Sequence, residues 1–219
     1  MSNLPNQTDP RLLILDKAYG HKKSVDQKLP INSKGEPIPW YTYPAIEYLE
    51  RINFKEASFF EYGSGHSTLY WSNRVKNITS VESNKEWYKK ILKETKSISN
   101  IKLQYEEEKE SYCHSILTEK IKYDVVIIDG IYRASCVFNA IKALNGGGIV
   151  ILDNSDWYVG AAKALRSTGL TQVDFDGLGP GNNYTWVTSI YLKSNMKFKH
   201  TESTSENFSK GGRKVAISG

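Results

Sequence analysis

Phe59-Phe60-Glu61-Tyr62-Gly63-Ser64-Gly65-His66-Ser67-Thr68 decides how this chain folds. An apolar run ends on an acid, turns through two glycines one residue apart, and enters a segment whose first turn is rich in Ser and Thr. Glycine lets backbone come close to a ligand, and the start of a helix leaves N–H groups unpaired. Strand, glycine turn and helix together predict a nucleotide-type cradle. A dinucleotide pyrophosphate asks for a third glycine where Thr68 stands in that register, so a dinucleotide is the poorer fit.

Outward from this stretch, segments alternate in type. Short apolar or β-rich runs occupy residues 57–62, 78–82, 101–105, 125–129 and 149–153, with helical character at 67–75, 85–95, 133–144 and 157–167 between or after them. An earlier helix opens at Thr42-Tyr43-Pro44, with a capping Thr and a proline in the first turn. Such alternation demands a parallel sheet covered by helices. Residues 171–175 and 185–192 are again strand-like, but Gly177-Leu178-Gly179-Pro180-Gly181-Asn182-Asn183 joins them with no room for a crossover helix, so they pair antiparallel. The expected fold is α/β: a Rossmann-like seven-stranded mixed sheet, five parallel strands plus a C-terminal antiparallel hairpin, with helices on both faces. Residues 1–40, rich in proline, are expected to form an arm over a domain at 41–193, and 194–219 a polar basic tail that is solvated and mobile.

The acid followed by Gly-x-Gly resembles the first motif of class I S-adenosylmethionine-dependent methyltransferases, with Ser67 where their third glycine is commonest. The resemblance covers residues 57–193. It implies that Glu61 lies near the methionine amino group and that Gly63, Ser64, Gly65 and Ser67 wrap the cofactor. Glu82, 19 residues after Gly63 at the end of the second strand, would accept both ribose hydroxyls.

Two further runs, Tyr123-Asp124-Val125-Val126-Ile127-Ile128-Asp129 and Gly148-Ile149-Val150-Ile151-Leu152-Asp153-Asn154, each end in an aspartate. Strand ends are where ligands of open α/β sheets bind, and adjacent strands lie about 4.8 Å apart. Carboxylates that close repel unless a cation or proton intervenes. Asp129, Asp153 and Asn154 therefore suit Mg²⁺ or another divalent cation, and the pattern resembles the catechol O-methyltransferase group. Tyr132 stands where that group has its lysine base, so the base does not carry over. The alternative is that Asp153 and Asn154 cap the helix starting near Trp157. Asp129 is also a candidate cofactor contact; Asp129, Tyr132, Asp153 and Asp156 are the candidate catalytic residues. Asp129-Gly130-Ile131-Tyr132 lacks the paired prolines of amino-group methyltransferases, which disfavours a base amine as acceptor.

Trp157, Tyr158, Tyr184, Trp186 and the glycine loop either wall a substrate pocket or belong to the core. His66 is either a base or a capping residue. Cys113 and Cys136 lack metal or redox spacing, which suggests core positions in a reducing cytoplasm. The net charge of +5 is spread along the chain, and no run is long and apolar enough to span a bilayer. The expectation is a methyltransferase acting on a small-molecule or glycan-type acceptor, at oxygen, without nucleic acid as partner. Two alternatives remain: an NAD(P)-dependent oxidoreductase, whose Tyr-x-x-x-Lys spacing occurs at Tyr105 and Lys109 but at the end of the third strand rather than beyond the fifth, and a non-catalytic module binding RNA or an anionic glycan through the tail.

Overall fold

The computed structural model describes residues 10–201 and residue 210. Seven strands form one sheet: β1 (Ser58–Tyr62), β2 (Asn77–Glu82), β3 (Ile101–Tyr105), β4 (Tyr123–Ile128), β5 (Leu144–Leu152), β6 (Thr171–Gly177) and β7 (Trp186–Leu192). Their order is β3-β2-β1-β4-β5-β7-β6. The first five run parallel, while β7 is antiparallel to both β5 and β6. Strand order reverses between β1 and β4, so a crevice opens above their carboxyl ends, the usual ligand position in such sheets.

The helices are α1 (Pro10–Ile14), α2 (His21–Gln27), α3 (Tyr43–Glu50), α4 (His66–Ser72), α5 (Lys85–Thr95), α6 (Lys109–His114), α7 (Arg133–Ala143) and α8 (Val159–Arg166). Alternate residues of a strand point to opposite faces, which gives the protein two cores. Phe60, Val126, Ile128, Val150 and Leu152 pack under α6, α7 and α8 against Tyr112, Cys136, Ala140 and Leu165. Phe59, Val125, Ile127, Ile149 and Ile151 pack under α3 and α4 against Ile46, Leu49, Tyr70 and Trp71. Burial on both faces explains why β4 and β5 read as unbroken apolar runs.

Several boundaries differ from the sequence expectation. β5 starts at Leu144, directly where α7 ends, because Gly146, Gly147 and Gly148 continue the strand. A Cβ at Gly148 would lie 2.7 Å from the Asp124 carbonyl oxygen, so glycine is what lets β5 approach β4 there. α4 stops at Ser72, short of Val75. α8 begins only at Val159, since Asn154, at φ +49°, turns the chain and its carbonyl accepts from Trp157 and Tyr158 N–H. α6 was not anticipated at all.

The arm lies on the α3 and α4 side: Tyr19 stacks on Tyr43 at 4.5 Å, and the His66 ring nitrogen Nδ1 lies 2.9 Å from the Pro30 carbonyl oxygen. Thr42 precedes α3 as expected, but its hydroxyl bonds the Phe175 carbonyl of β6 rather than capping the helix. The described part of the tail, residues 194–201, is mostly exposed but touches the body of the protein at several points. Lys197 pairs with Asp124, Phe198 meets Phe54 at 4.9 Å, and His200 bridges to Ile52. The remainder of the expected basic tail, save Lys210, lies outside the described residues. No helix among the described residues is long and apolar enough to cross a membrane.

Candidate active site

Glu61 is the last acid of β1 and is buried. Its Oε2 accepts from Thr68 Oγ1 at 2.5 Å and Ser80 Oγ at 2.8 Å, and Thr68 Oγ1 in turn accepts from Gly65 N–H at 3.0 Å. One carboxylate oxygen thus fastens the glycine turn to β2 and α4. The other, Oε1, is buried without a hydrogen bond of normal geometry, although the Ser67 side chain is close enough to lower the carboxyl. Burial raises the Glu61 carboxyl to about 7, against the lowering effect of its hydroxyl donors. An unpartnered acceptor of this kind is costly unless a ligand donor meets it.

Gly63 has φ +98°, and a Cβ there would lie 3.1 Å from both Gly130 N and Cα. Glycine is therefore needed where the turns after β1 and β4 touch. Gly65 is extended, and its nearest neighbour to a built Cβ is Trp87 Cζ2 at 3.7 Å. The Ser64 carbonyl is held by Trp87 Nε1 at 2.7 Å.

Glu82 closes the other wall. Its Oε2 accepts from Ser64 N–H at 3.2 Å and Ser64 Oγ at 3.1 Å, and its Oε1 from Ser83 and Asn84 N–H at 2.9 and 2.8 Å. A ribose diol would compete first with the rotatable Ser64 hydroxyl. Ser67 and Asp129 line the same cleft, whose volume is about 140 Å³. So does Tyr112 of α6, which the sequence gave no reason to select. Its hydroxyl is buried, unpartnered, and 2.1 Å from where a Gly130 Cβ would stand. A roomier cavity, about 390 Å³, lies between the arm, α3 and α4, but its lining includes none of the strand-end carboxylates.

Asp129, Asp153 and Asn154 do come together, around a cation that the chain itself supplies. Arg133 Nε donates to the Gly130 carbonyl at 2.9 Å. One terminal nitrogen donates to the Asp153 carbonyl and to Asn154 Oδ1 at 3.1 Å. The other donates to Asp129 O at 2.9 Å and Oδ1 at 3.1 Å. All five guanidinium N–H groups are thereby used. The Tyr158 ring covers the group at 4.1 Å. The Asp153 carboxylate turns to β7, accepting from Trp186 Nε1 at 3.0 Å and Thr188 Oγ1 at 2.5 Å. Burial raises Asp153 well above the usual carboxylate range, with Asp129 adding to it; burial raises Asp129 to about 6 despite Arg133.

This donor set does not fit the expected divalent cation. The guanidinium holds the Asn154 oxygen and one Asp129 oxygen, Asp153 points elsewhere, and no group of three or more His, Cys, Asp or Glu among the described residues is placed to hold a metal. The capping alternative is not realised either, for α8 starts after Tyr158 with no side-chain cap. Tyr132, at φ +54°, is 40% exposed and packs edge-on to Tyr112 at 6.0 Å. Asp156 Oδ1 accepts from Val187 N–H at 3.2 Å. Of the expected aromatic wall, Trp186 is core, while Trp157, Tyr158 and Tyr184 are exposed. Tyr105 bonds Glu107 and Lys109 lies over the Tyr132 ring, so they form no Tyr-Lys pair.

No protein-family model and no curated protein matches the chain by sequence. Solved structures share its fold. A precorrin-6Y C5,15-methyltransferase from Geobacter metallireducens GS-15 matches with TM-score 0.55 over 68% of this chain and 87% of its own, at 15% identity. A methyltransferase from Pyrococcus furiosus gives 0.51 over 69% and 83%, at 16% identity. A precorrin 8w decarboxylase from Methanobacterium thermoautotrophicum gives 0.50 over 76% and 97%, also at 16% identity. Likeness at these identities is one of architecture: the chain has the Rossmann-like sheet of the class I methyltransferases.

Proposed function

We propose that the protein is an S-adenosylmethionine-dependent methyltransferase acting on a hydroxyl of a small-molecule or glycan-type acceptor. The observation that carries this is Glu61 Oε1, a buried acceptor without a hydrogen bond of normal geometry on the wall of the strand-end cleft. A cationic amino group is a donor that suits such an oxygen, and an anionic head group does not. Bound there, the cofactor would supply a methyl group already activated on a sulfonium.

The chain would then hold and align. Glu61 would take the amino group, Glu82 the ribose hydroxyls, and the Gly63-to-Ser67 turn would line the space between them. Asp129, on the cleft wall and raised toward neutrality, is the best-placed proton acceptor for a hydroxyl. Asp153 would add negative charge beside it, and Tyr132 and Asp156 are more peripheral candidates. Arg133 fixes the geometry of both strand ends without a metal. We place the reaction in the cytoplasm, because Cys113 and Cys136 are too few for a disulfide framework and have no metal-ligand or redox spacing. Parallel calorimetric titration with S-adenosylmethionine and NAD tests the assignment. Binding of the first alone, lost in Glu61→Gln and Glu82→Ala, is the expected result; binding of NAD alone would replace the function with the oxidoreductase alternative.

A further inference from the structure

Three aromatic side chains from three separate segments stand outward at the mouth of the site. Trp40, at the end of the arm, is 39% exposed; Tyr184, in the β6-to-β7 loop, 49%; Trp157, after β5, 56%. Side chains of this size are normally buried, and a cluster left in water marks a recognition surface. The cluster is also built. With its amide oxygen toward the rings, Asn182 accepts from Trp40 Nε1 at 3.1 Å and Tyr184 OH at 3.2 Å, while its nitrogen donates to the Gly181 carbonyl at 3.2 Å. The polar atoms of both rings are thus tied inward. Trp157 lies 5.9 Å from Tyr184, and Tyr184 lies 5.9 Å from Trp186, whose N–H reaches Asp153. Through Trp186 the exposed rings therefore connect by contact to Asp153, just past the end of β5.

Charge narrows what such a surface can take. Around the mouth, residues 129–133, 153–159 and 177–186 contribute the acids Asp129, Asp153 and Asp156 against the single cation Arg133. Arg133 has no donor left, so these segments offer no free side-chain cation to a phosphate or sulfate. An uncharged partner fits this lining better than an anion. Rigid aromatic faces beside carboxylate and amide acceptors suit a ring with apolar C–H faces and hydroxyl donors at its rim. We infer that the acceptor is an uncharged sugar ring of a glycan, seated on Trp157 and Tyr184 with a hydroxyl directed toward Asp129. The inference rests on the methyltransferase function proposed above and narrows its acceptor.

The test uses the full chain with two variants, Trp157→Ala and Tyr184→Ala, both at exposed positions, and Phe138→Ala on the outer face of α7 as control. Saturation-transfer NMR reads binding of neutral oligosaccharides built from glucose, galactose, mannose, rhamnose or N-acetylglucosamine, with oligouridylate and catechol as counter-probes. Calorimetry with S-adenosylhomocysteine is run on each variant. At least one oligosaccharide should bind wild type and the control, and each of the two variants should weaken it by about tenfold, with S-adenosylhomocysteine affinity unchanged. No oligosaccharide binding, binding indifferent to both substitutions, or selection of oligouridylate or catechol through the same residues would overturn the inference. Wild type that ignores S-adenosylhomocysteine but binds the sugar would instead overturn the cofactor assignment and leave the sugar surface standing.

Discussion

Arg133, the first residue of α7, reaches back four residues to Asp129, placing a guanidinium nitrogen 3.1 Å from the carboxylate just past the end of β4, in a pair whose arginine side chain is 7% exposed. A buried cation with five acceptors is what keeps two acidic strand ends compatible. Removing one partner of a buried pair typically costs about 3–5 kcal/mol. Arg133→Ala should therefore lose about that much stability at neutral pH in denaturant titration. Arg133→Lys should recover only part of it, because an ammonium cannot reach acceptors on two turns at once. A loss below about 1 kcal/mol would show that the network is replaceable.

The same relationship sets an expectation about metals. If the guanidinium is the cation of this site, EDTA should leave the melting temperature and any turnover unchanged, and Mg²⁺ titration should give no saturable heat. Restoration of a chelator-lost activity by Mg²⁺ would mean that Arg133 vacates the site in the working enzyme.

Why the sheet was legible and this node was not comes down to the range of the signals. β1, β4 and β5 announce themselves in five or six consecutive residues, because both of their faces are buried and the acids terminate them. Arg133 acts through three carbonyl oxygens and two side chains gathered from the turns after β4 and β5. Backbone acceptors carry no sequence signature. Tyr112 was hidden for another reason: α6 is six residues long, too short to show a helical period, so nothing in Lys109–His114 marked the tyrosine as a cleft residue. Glu61, Glu82 and Asp129 were legible as strand-end acids, but not the sharing of labour between the two oxygens of Glu61.

Glu61 should make the protein pH-sensitive in two opposed ways. Burial raises its carboxyl from the ordinary 4.5 to about 7, so the folded state binds the proton more tightly than the unfolded chain. Its contribution to stability is therefore greatest below about 4.5 and is lost as pH rises through about 7, on the order of 3 kcal/mol in all. Ligand binding runs the other way, since a cationic amino group is met best by the ionised carboxylate. Wild type should lose stability relative to Glu61→Gln between about pH 4.5 and 7, while its affinity for S-adenosylmethionine rises over the upper part of that range. Parallel pH profiles of melting and calorimetry measure both, and a flat difference between the two proteins would place the proton elsewhere.

Tyr112→Phe removes a buried hydroxyl that has no partner in the protein. Loss of an unsatisfied group costs the fold nothing and can stabilise it by about 1 kcal/mol. Because that hydroxyl lines the cleft between Glu61, Glu82 and Asp129, affinity for S-adenosylhomocysteine should fall by about fivefold or more even as the melting temperature holds or rises. Unchanged affinity would mean that the ligand does not reach it.

The two glycines of the turn should separate cleanly, although the sequence treats them alike. Gly63 sits at φ +98° with Gly130 backbone 3.1 Å from any added Cβ, and backbone cannot step aside as a flexible side chain can. Gly63→Ala combines a strained conformation with a close contact, at a cost of about 1–3 kcal/mol. Gly65 is extended, and alanine there meets only Trp87 at ordinary contact distance, so the fold should tolerate it within about 0.5 kcal/mol. Urea titration of the two variants reads this difference directly. Calorimetry on Gly65→Ala then isolates the ligand: a folded variant with weakened S-adenosylmethionine binding places the cofactor against this turn, whereas wild-type affinity would move the cofactor off it even if Gly63 proves indispensable to the fold.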